Sequence, residues 1–532
     1  MQKINPCIIP EPTEYLPYEG TLKLEKQIGV FCAPEHKETF EFLKTVFGGN
    51  EFVMQPNGKL RLVYDHSYAD EEYRLTVNEN GIEILASTEA GSFYAVQTLR
   101  QLCGAGIKGD VIGETAFCRV TDKPRFRWRG FMLDEARHFF GMQKVKQTLD
   151  MMAMLKLNVF HWHLSDDQGF RVALKNHPLL GTKGAVRSKT QVVYRGEGGV
   201  NAEYIEEPYG EGCSYTLEQL KEIVDYAAKL HINIVPEIDM PGHLVSAIAC
   251  YPELSCRREP TEVSTIWGVL DNIGCCGRQE IYDFAYDVID ELSEVFPFPY
   301  FHIGGDEVPK KRWKECPHCQ ARIKELGLEN EDALQSYFNT CVQKHLALRG
   351  RHLIGWTEVL ESANIGDDAV IQWWIDGSGE VKKWVENGNK AIISKVDFFY
   401  LDHFYCMRPL SKTYSADLET MGIDPACEGN IMGFEAPLWT EYVRDTAKFD
   451  LNAYPRIQAL AEVCWTKPSK KDYSDFLRRL EAHEAWMDEA GIKRAKRKVY
   501  EPADCDEVLG HENAWTVFTR DSYLELKINE QE

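Results

Sequence analysis

At 532 residues, with 44% hydrophobic and 27% charged residues, the chain is long enough to bury a large core and to fold as two or three domains. A formal charge of −23 excludes nucleic acid and anionic membrane surfaces as main partners, because both require clustered Lys and Arg; a small neutral ligand fits better. No apolar run reaches signal-peptide or membrane-span length, which predicts a cytoplasmic protein, and sixteen cysteines, two of them adjacent at Cys275-Cys276, read as reduced thiols rather than a disulfide scaffold.

In chain order, Tyr73 to Val77 and Gly81 to Leu85 alternate like paired strands around the turn Asn78-Glu-Asn-Gly81. Ala90 to Cys103 has helical spacing, so residues 1–124 form a small α+β domain that closes near Thr121-Asp-Lys-Pro124. Eight apolar, strand-like runs follow: Gly130 to Asp134, Leu157 to Leu164, Ile232 to Ile238, Tyr300 to Ile303, His352 to Trp356, Ala369 to Trp374, Lys390 to Ser394 and Ile431 to Phe434. Amphipathic helices fit between most of them, such as Lys144 to Leu155, Leu217 to Leu230, Ile281 to Val295 and Leu334 to Leu348. This α/β alternation predicts a (β/α)8 TIM barrel over residues 125–494. Gly181 to Tyr215, rich in glycine and polar residues, reads as a long inserted loop, and residues 495–532 as a tail packed on the barrel.

The stretch Tyr300-Phe-His-Ile-Gly-Gly-Asp-Glu307 runs from a buried strand pattern through two glycines into adjacent carboxylates. The glycines remove bulk where something approaches the backbone. Neighbouring side chains on a strand diverge, so Asp306 and Glu307 do different jobs and are not the opposed pair of an ordinary glycosidase. Barrel enzymes collect their chemistry at the C-terminal strand ends. Here those ends carry Asp134 with Arg137, Asp166-Asp167, Glu237 with Asp239, Trp356 with Glu358, Trp373-Trp374, Tyr400 with Asp402-His403, and Trp439 with Glu441. Indoles stack on flat sugar faces while charged planar groups bond hydroxyls, so the rim suits a carbohydrate. Cys316-Pro-His-Cys319 could give two thiolates to zinc, yet no second Cys-x-x-Cys exists. Completing a site would need scattered partners such as Cys256, Cys275 or Cys276, and the motif reads as a helix-start turn.

Several long motifs stand out: Ala90-Gly-Ser-Phe-Tyr-Ala-Val-Gln-Thr-Leu99, Arg129-Gly-Phe-Met-Leu-Asp134 with Arg137-His-Phe139, His161-Trp-His-Leu-Ser-Asp-Asp-Gln-Gly-Phe170, Pro236-Glu-Ile-Asp-Met-Pro-Gly-His243 and His302-Ile-Gly-Gly-Asp-Glu307. Together they resemble family 20 of the glycoside hydrolases, the β-N-acetylhexosaminidases. The resemblance spans nearly the whole chain and implies exo-acting removal of terminal β-linked N-acetylhexosamines, with retention, the substrate's acetamido oxygen serving as nucleophile. It casts Glu307 as general acid and base, Asp306 as acceptor of the acetamido N–H, and Tyr400 as donor to the acetamido carbonyl. Asp166 and His243 match a pair that tunes the acid. Arg137 matches the arginine holding O3 and O4, Asp402 and Glu441 match acids bonding O4 and O6, and Trp356, Trp374 and Trp439 match indoles walling the sugar. No cofactor and no metal is implied, which makes His161 and His163 core or supporting groups. Two rival expectations are a glycan-binding pseudoenzyme, against which the presence of Asp306, Glu307 and Tyr400 together argues, and a metal-dependent hydrolase built on His161, His163, Asp166 and Asp167.

Overall fold

The computed structural model describes residues 7–104, 111–193, 202–361, 365–375 and 379–531. The N-terminal part builds a seven-stranded mixed sheet from β1 (Glu14–Leu22), β2 (Gln27–Cys32), β3 (Glu51–Met54), β4 (Leu60–Tyr64), β5 (Tyr73–Asn78), β6 (Gly81–Ala86) and β7 (Thr115–Asp122). Their order across the sheet is β1-β7-β5-β6-β4-β2-β3. The predicted hairpin is β5–β6, with Asn78 paired to Gly81. Helices α1 (Lys37–Val46) and α2 (Glu89–Leu102) accompany this sheet. α2 begins on Thr88, whose hydroxyl accepts the Gly91 N–H, one of the donors that an uncapped helix start leaves unpaired.

Eight parallel strands then close a barrel: Trp128–Asp134, Val159–His163, Asn233–Glu237, Tyr300–His302, His352–Trp356, Val370–Trp373, Lys390–Ile393 and Ile431–Leu438. Each coincides with one of the eight apolar runs read from the sequence. The barrel interior is layered. At the N-terminal end of the strands Trp128, Val159, Val235, Ile354, Val370 and Ile392 form an apolar plug. One turn of the pleat higher the interior is polar, because the alternate residues facing inward there are His161, Glu237, Gln372 and Glu435. Above this layer the C-terminal strand ends open into the candidate site.

The N-terminal sheet clasps the lower end of the barrel. Lys156 and Asp122, both fully buried, form an ion pair at 2.9 Å, and the Lys156 ammonium also donates to the Tyr73 hydroxyl. Trp465 donates its indole N–H to the same Asp122 carboxylate, and Arg129 pairs with Glu71 at 2.6 Å. No described helix is long and apolar enough to cross a membrane.

Two segments differ from the sequence expectation. In the 181–215 insertion, whose residues 194–201 lie outside the described residues, Thr190–Val193 pairs antiparallel with Glu203–Ile205, and Arg187 bridges to Tyr209. A buried cation organises it: the Arg187 guanidinium lies 4.2 Å from the Tyr209 ring centroid and 5.3 Å from that of Trp267. Beyond residue 495 the segment expected as a tail packed on the barrel forms short helices, of which Leu509, Val517 and Phe518 pack with Phe404.

Since the Lys156–Asp122 pair has no access to water, Asp122→Ala strands a buried cation and should destabilise the protein by about 3–5 kcal/mol. Urea unfolding of wild type and variant measures this; an unchanged midpoint would show that the pair does not hold the two parts together.

Candidate active site

All eleven residues expected at the site line one cavity of about 300 Å³ at the C-terminal end of the barrel. They are Arg137, Asp166, His243, Asp306, Glu307, Trp356, Trp374, Tyr400, Asp402, Trp439 and Glu441. The first barrel strand brings Arg137, the loop after the third brings His243, and the fourth leads to the two acids. These acids do not sit on the strand itself. It ends at His302, and Gly304 and Gly305 follow with φ of 66° and 87°, a region that L side chains avoid. What approaches the glycine backbone closely is Asp239: a Cβ on Gly304 would lie 1.9 Å from its Oδ1, and the Gly305 N–H donates to that oxygen at 3.1 Å. Glu307 and His243, neither of them glycine, also have positive φ, 48° and 46°. Such strain persists where the surroundings overdetermine it, commonly at working sites.

Electrostatically the site hangs on Asp166. Arg137 reaches it at 2.7 Å, His163 at 3.1 Å and His243 at 3.3 Å. Burial works to raise the Asp166 pKa, but Arg137, His243 and His163 together hold it well below the usual carboxylate range. In return, and against burial, Asp166 keeps the His243 imidazole cationic well above its ordinary range. His243 Nε2 lies 3.5 Å from Glu307 and 3.9 Å from Asp306, so both acids face one imidazole from the same side of the cavity. Burial, with the charges of Glu307 and Glu237, pushes Asp306 up to about 6. Its Oδ1 is buried without a hydrogen-bond donor among the described residues.

The opposite end is acidic and apolar in alternation. Burial lifts Asp402 and Glu441 to about 7 each, the latter despite Arg137 at 3.8 Å. Arg137 is also fixed by Asp134 and by Gln168, and its guanidinium stands 5.2 Å from the Trp439 ring centroid. Trp374 stacks parallel to Tyr400 at 6.1 Å, and Trp356 packs on Trp439 at 5.8 Å. A flat, aromatic slot with charged donors and acceptors at one end is what a pyranose ring requires.

Residues 126–468 match the glycosyl hydrolase family 20 catalytic domain, and residues 5–123 match domain 2 of the same family. The chain belongs to that family. Among relatives, the β-hexosaminidase of Porphyromonas gingivalis is 36% identical over 451 residues, which are 80% of this chain but 54% of that protein, so the chain spans about half its length. The β-N-acetylhexosaminidase of Cellulomonas fimi is 32% identical over 460 residues, 82% of each chain. A GH20 exo-β-N-acetylglucosaminidase from Vibrio harveyi, solved with N-acetylglucosamine, has a TM-score of 0.82 at 30% identity, covering 92% of this chain and 78% of that one. The family 20 barrel here is thus a glycoside hydrolase of the β-N-acetylhexosaminidase type.

The structure separates the cluster of the rival metal-hydrolase reading. His161 turns into the polar layer of the barrel, 2.7 Å from Glu435 and 3.1 Å from Glu237, while Asp166 and Asp167 face His243. His163 bridges Glu237 and Asp166. Besides the eleven, Val396, His403 and Trp515 line the cavity, and Glu358 supports it through Trp374. Glu358, seen only as a strand-end acid, accepts the Trp374 indole N–H at 2.9 Å and is pushed to about 8 by burial and by Asp306. Trp515, from the tail helix Ala514–Arg520, lines the cavity mouth while remaining 46% exposed. No local signal in the sequence marks it, since its position depends on how the tail folds back.

The raised carboxyls have a cost with a definite pH dependence. For Asp402 the folded pKa of about 7 exceeds the unfolded value near 3.8, so the fold is favoured when it is protonated, and that advantage fades as pH rises from 3.8 through 7. Asp402→Asn should therefore raise the melting temperature by a few degrees at about pH 8, with the gain vanishing towards about pH 4. Calorimetry at both pH values tests this; an equal shift at each would show that ionisation of Asp402 is not the cause.

Proposed function

We propose that the chain is an exo-acting, retaining β-N-acetylhexosaminidase that removes terminal non-reducing β-linked GlcNAc or GalNAc through an oxazolinium intermediate. The carrying observation is that Asp306 and Glu307 stand on one side of the cavity, both turned to His243, rather than confronting each other across a ring. An ordinary retaining pair needs a carboxylate nucleophile placed opposite the acid. Asp306 and Glu307 do not form such a pair, and the other cavity carboxylates, Asp402 and Glu441, are assigned to the ring hydroxyls, so the acetamido oxygen of the substrate takes the role.

In the first step that oxygen bonds to the anomeric carbon as the glycosidic C–O bond breaks, and Glu307 gives its proton to the departing oxygen. Asp306 accepts the acetamido N–H, for which its unpartnered Oδ1 is suited, and so offsets the positive charge developing on the ring. Tyr400, lining the same wall as Trp374, donates to the acetamido oxygen and aims it. In the second step the Glu307 carboxylate takes a proton from water as that water attacks the same carbon and the bond to the acetamido oxygen breaks, which regenerates the acetamido group and restores configuration. Arg137, Asp402 and Glu441 hold the ring hydroxyls at the closed end, leaving no exit for a chain continuing from the non-reducing side.

Three measurements test this reading. Glu307→Gln should lose about 10²–10⁴-fold in kcat/KM on a disaccharide and far less on an activated nitrophenyl glycoside, which needs little protonation; equal losses would refute the acid assignment. Because Asp306 must be ionised to accept the N–H, kcat/KM should fall as pH drops through about 6, and Asp306→Asn should remove that limb of the profile. A chitin oligomer labelled at its reducing end should lose monosaccharides one at a time from the other end, and internal fragments appearing first would rule out the closed pocket.

A further inference from the structure

The Cys-x-x-Cys turn lacks a second motif in the sequence, yet the fold supplies one from separate segments. Cys256 and Cys275 come from the long segment that follows the third barrel strand, and Cys316 and Cys319 from the start of the helix Pro317–Leu326 in the segment after the fourth. Their four sulfurs lie within 4.8 Å of one another; three of the residues are buried and Cys256 is half-buried. Cys276, next in sequence to Cys275, is not part of the group.

The spacing discriminates between the chemistries open to four thiols. Cys275 Sγ is 3.6 Å from Cys319 Sγ and 3.8 Å from Cys316 Sγ, and Cys256 Sγ is 3.9 Å from Cys319 Sγ. Disulfide sulfurs stand about 2.05 Å apart, so none of these pairs is bonded. A tetrahedral ion with bonds of about 2.3 Å to sulfur spaces its ligands by about 3.8 Å, which is the separation seen. The soft S4 set, with no carboxylate or imidazole in the group, selects zinc among common divalent ions, and four protein ligands leave no open position, the mark of a structural site.

The backbone around the sulfurs is built to bring them together. A Cβ on Gly277 would lie 2.2 Å from the Cys319 nitrogen and 2.3 Å from the His318 carbonyl carbon, so only glycine lets the first loop pass beneath the Cys-x-x-Cys turn. Cys275 N–H donates to Leu254 O at 2.7 Å within the first loop, and the Trp313 indole donates to Gly274 O at 2.9 Å, tying the two loops to each other.

We propose that Cys256, Cys275, Cys316 and Cys319 bind one structural zinc ion that staples the loop bearing His243 to the loop bearing Asp306 and Glu307. Binding displaces the thiol protons and involves no change of oxidation state. The ion holds in register the two loops whose strained residues, His243 and Glu307, face each other at 3.5 Å. This inference does not depend on the reaction proposed above.

The test is made on the full chain purified under thiol-reducing conditions. Elemental analysis should find about one zinc per chain, released in step with titration of the cysteines by an organomercurial and read with a chromogenic chelator. Reconstitution of the stripped protein with cobalt(II) should give the intense visible bands of a tetrahedral thiolate centre, and loss of zinc should lower the melting temperature. Cys256→Ser and Cys319→Ser should each weaken metal retention, whereas Cys276→Ser keeps the full complement. Protein that lacks zinc and shows free thiols or disulfides by mass spectrometry would overturn the proposal, as would iron in place of zinc, or a cobalt spectrum without thiolate charge-transfer bands. The wild-type measurements decide the matter even if a serine variant fails to fold.

Discussion

The ion pair between Arg137 and Asp166, 2.7 Å long and almost wholly buried, is the contact on which the site depends. A carboxylate taken out of water without partners would protonate; here one guanidinium and two imidazoles keep it charged. Each of those partners then does something further. Arg137 presents its remaining face to the cavity beside Trp439, His243 projects towards Asp306 and Glu307, and His163 passes the constraint down to Glu237. Glu237 in turn receives the Trp356 indole and lies 2.9 Å from His302 at the base of the acid-bearing turn. The orientation of the sugar slot and the placement of the acids are thus set by one connected set of buried charges, in which loss of any member leaves others unpaired.

Stability and chemistry occupy opposite ends of the barrel. The lower end is an apolar plug beneath which the N-terminal sheet is locked by Lys156, Asp122 and Tyr73. The upper end carries carboxyls lifted by burial at Asp306, Asp402 and Glu441, together with positive φ at His243 and Glu307. None of these upper features favours the fold by itself. They are tolerated because the barrel below is close-packed and because the loops above are tied by hydrogen bonds, glycine contacts and the clustered thiols. The polar middle layer joins the two ends, since His161 is held between Glu237 and Glu435 and is pushed up to about 9 by them against the opposing effect of burial.

Much of this arrangement was written locally in the chain. The eight strands were legible because each is a short apolar run between helices of clear period, and a barrel sends the ends of such strands to one rim. That rule alone places Asp306, Glu307, Tyr400, Trp439 and Glu441 together, and the long motifs shared with the hexosaminidase family assigned them expected roles. The glycines at 304 and 305 were correctly read as marking a close approach, but the approaching group, Asp239, sits 65 residues earlier and could not be seen from composition or spacing.

What the tertiary structure alone decided concerns contacts between segments that are distant in sequence and carry no periodic signal. Periodicity and residue type act over a few neighbouring positions, so the strand and helix alternation, the acidic character and the set of chemical groups available at the rim were readable in the chain. Only the folded chain brought Trp515 from the tail to the cavity mouth, set Glu358 under the Trp374 indole, turned His161 away from Asp166 and gathered Cys256 and Cys275 around the Cys316–Cys319 turn. Such meetings depend on loop paths, and a loop path is fixed by the sum of its packing and hydrogen bonds with the rest of the molecule rather than by its own residues.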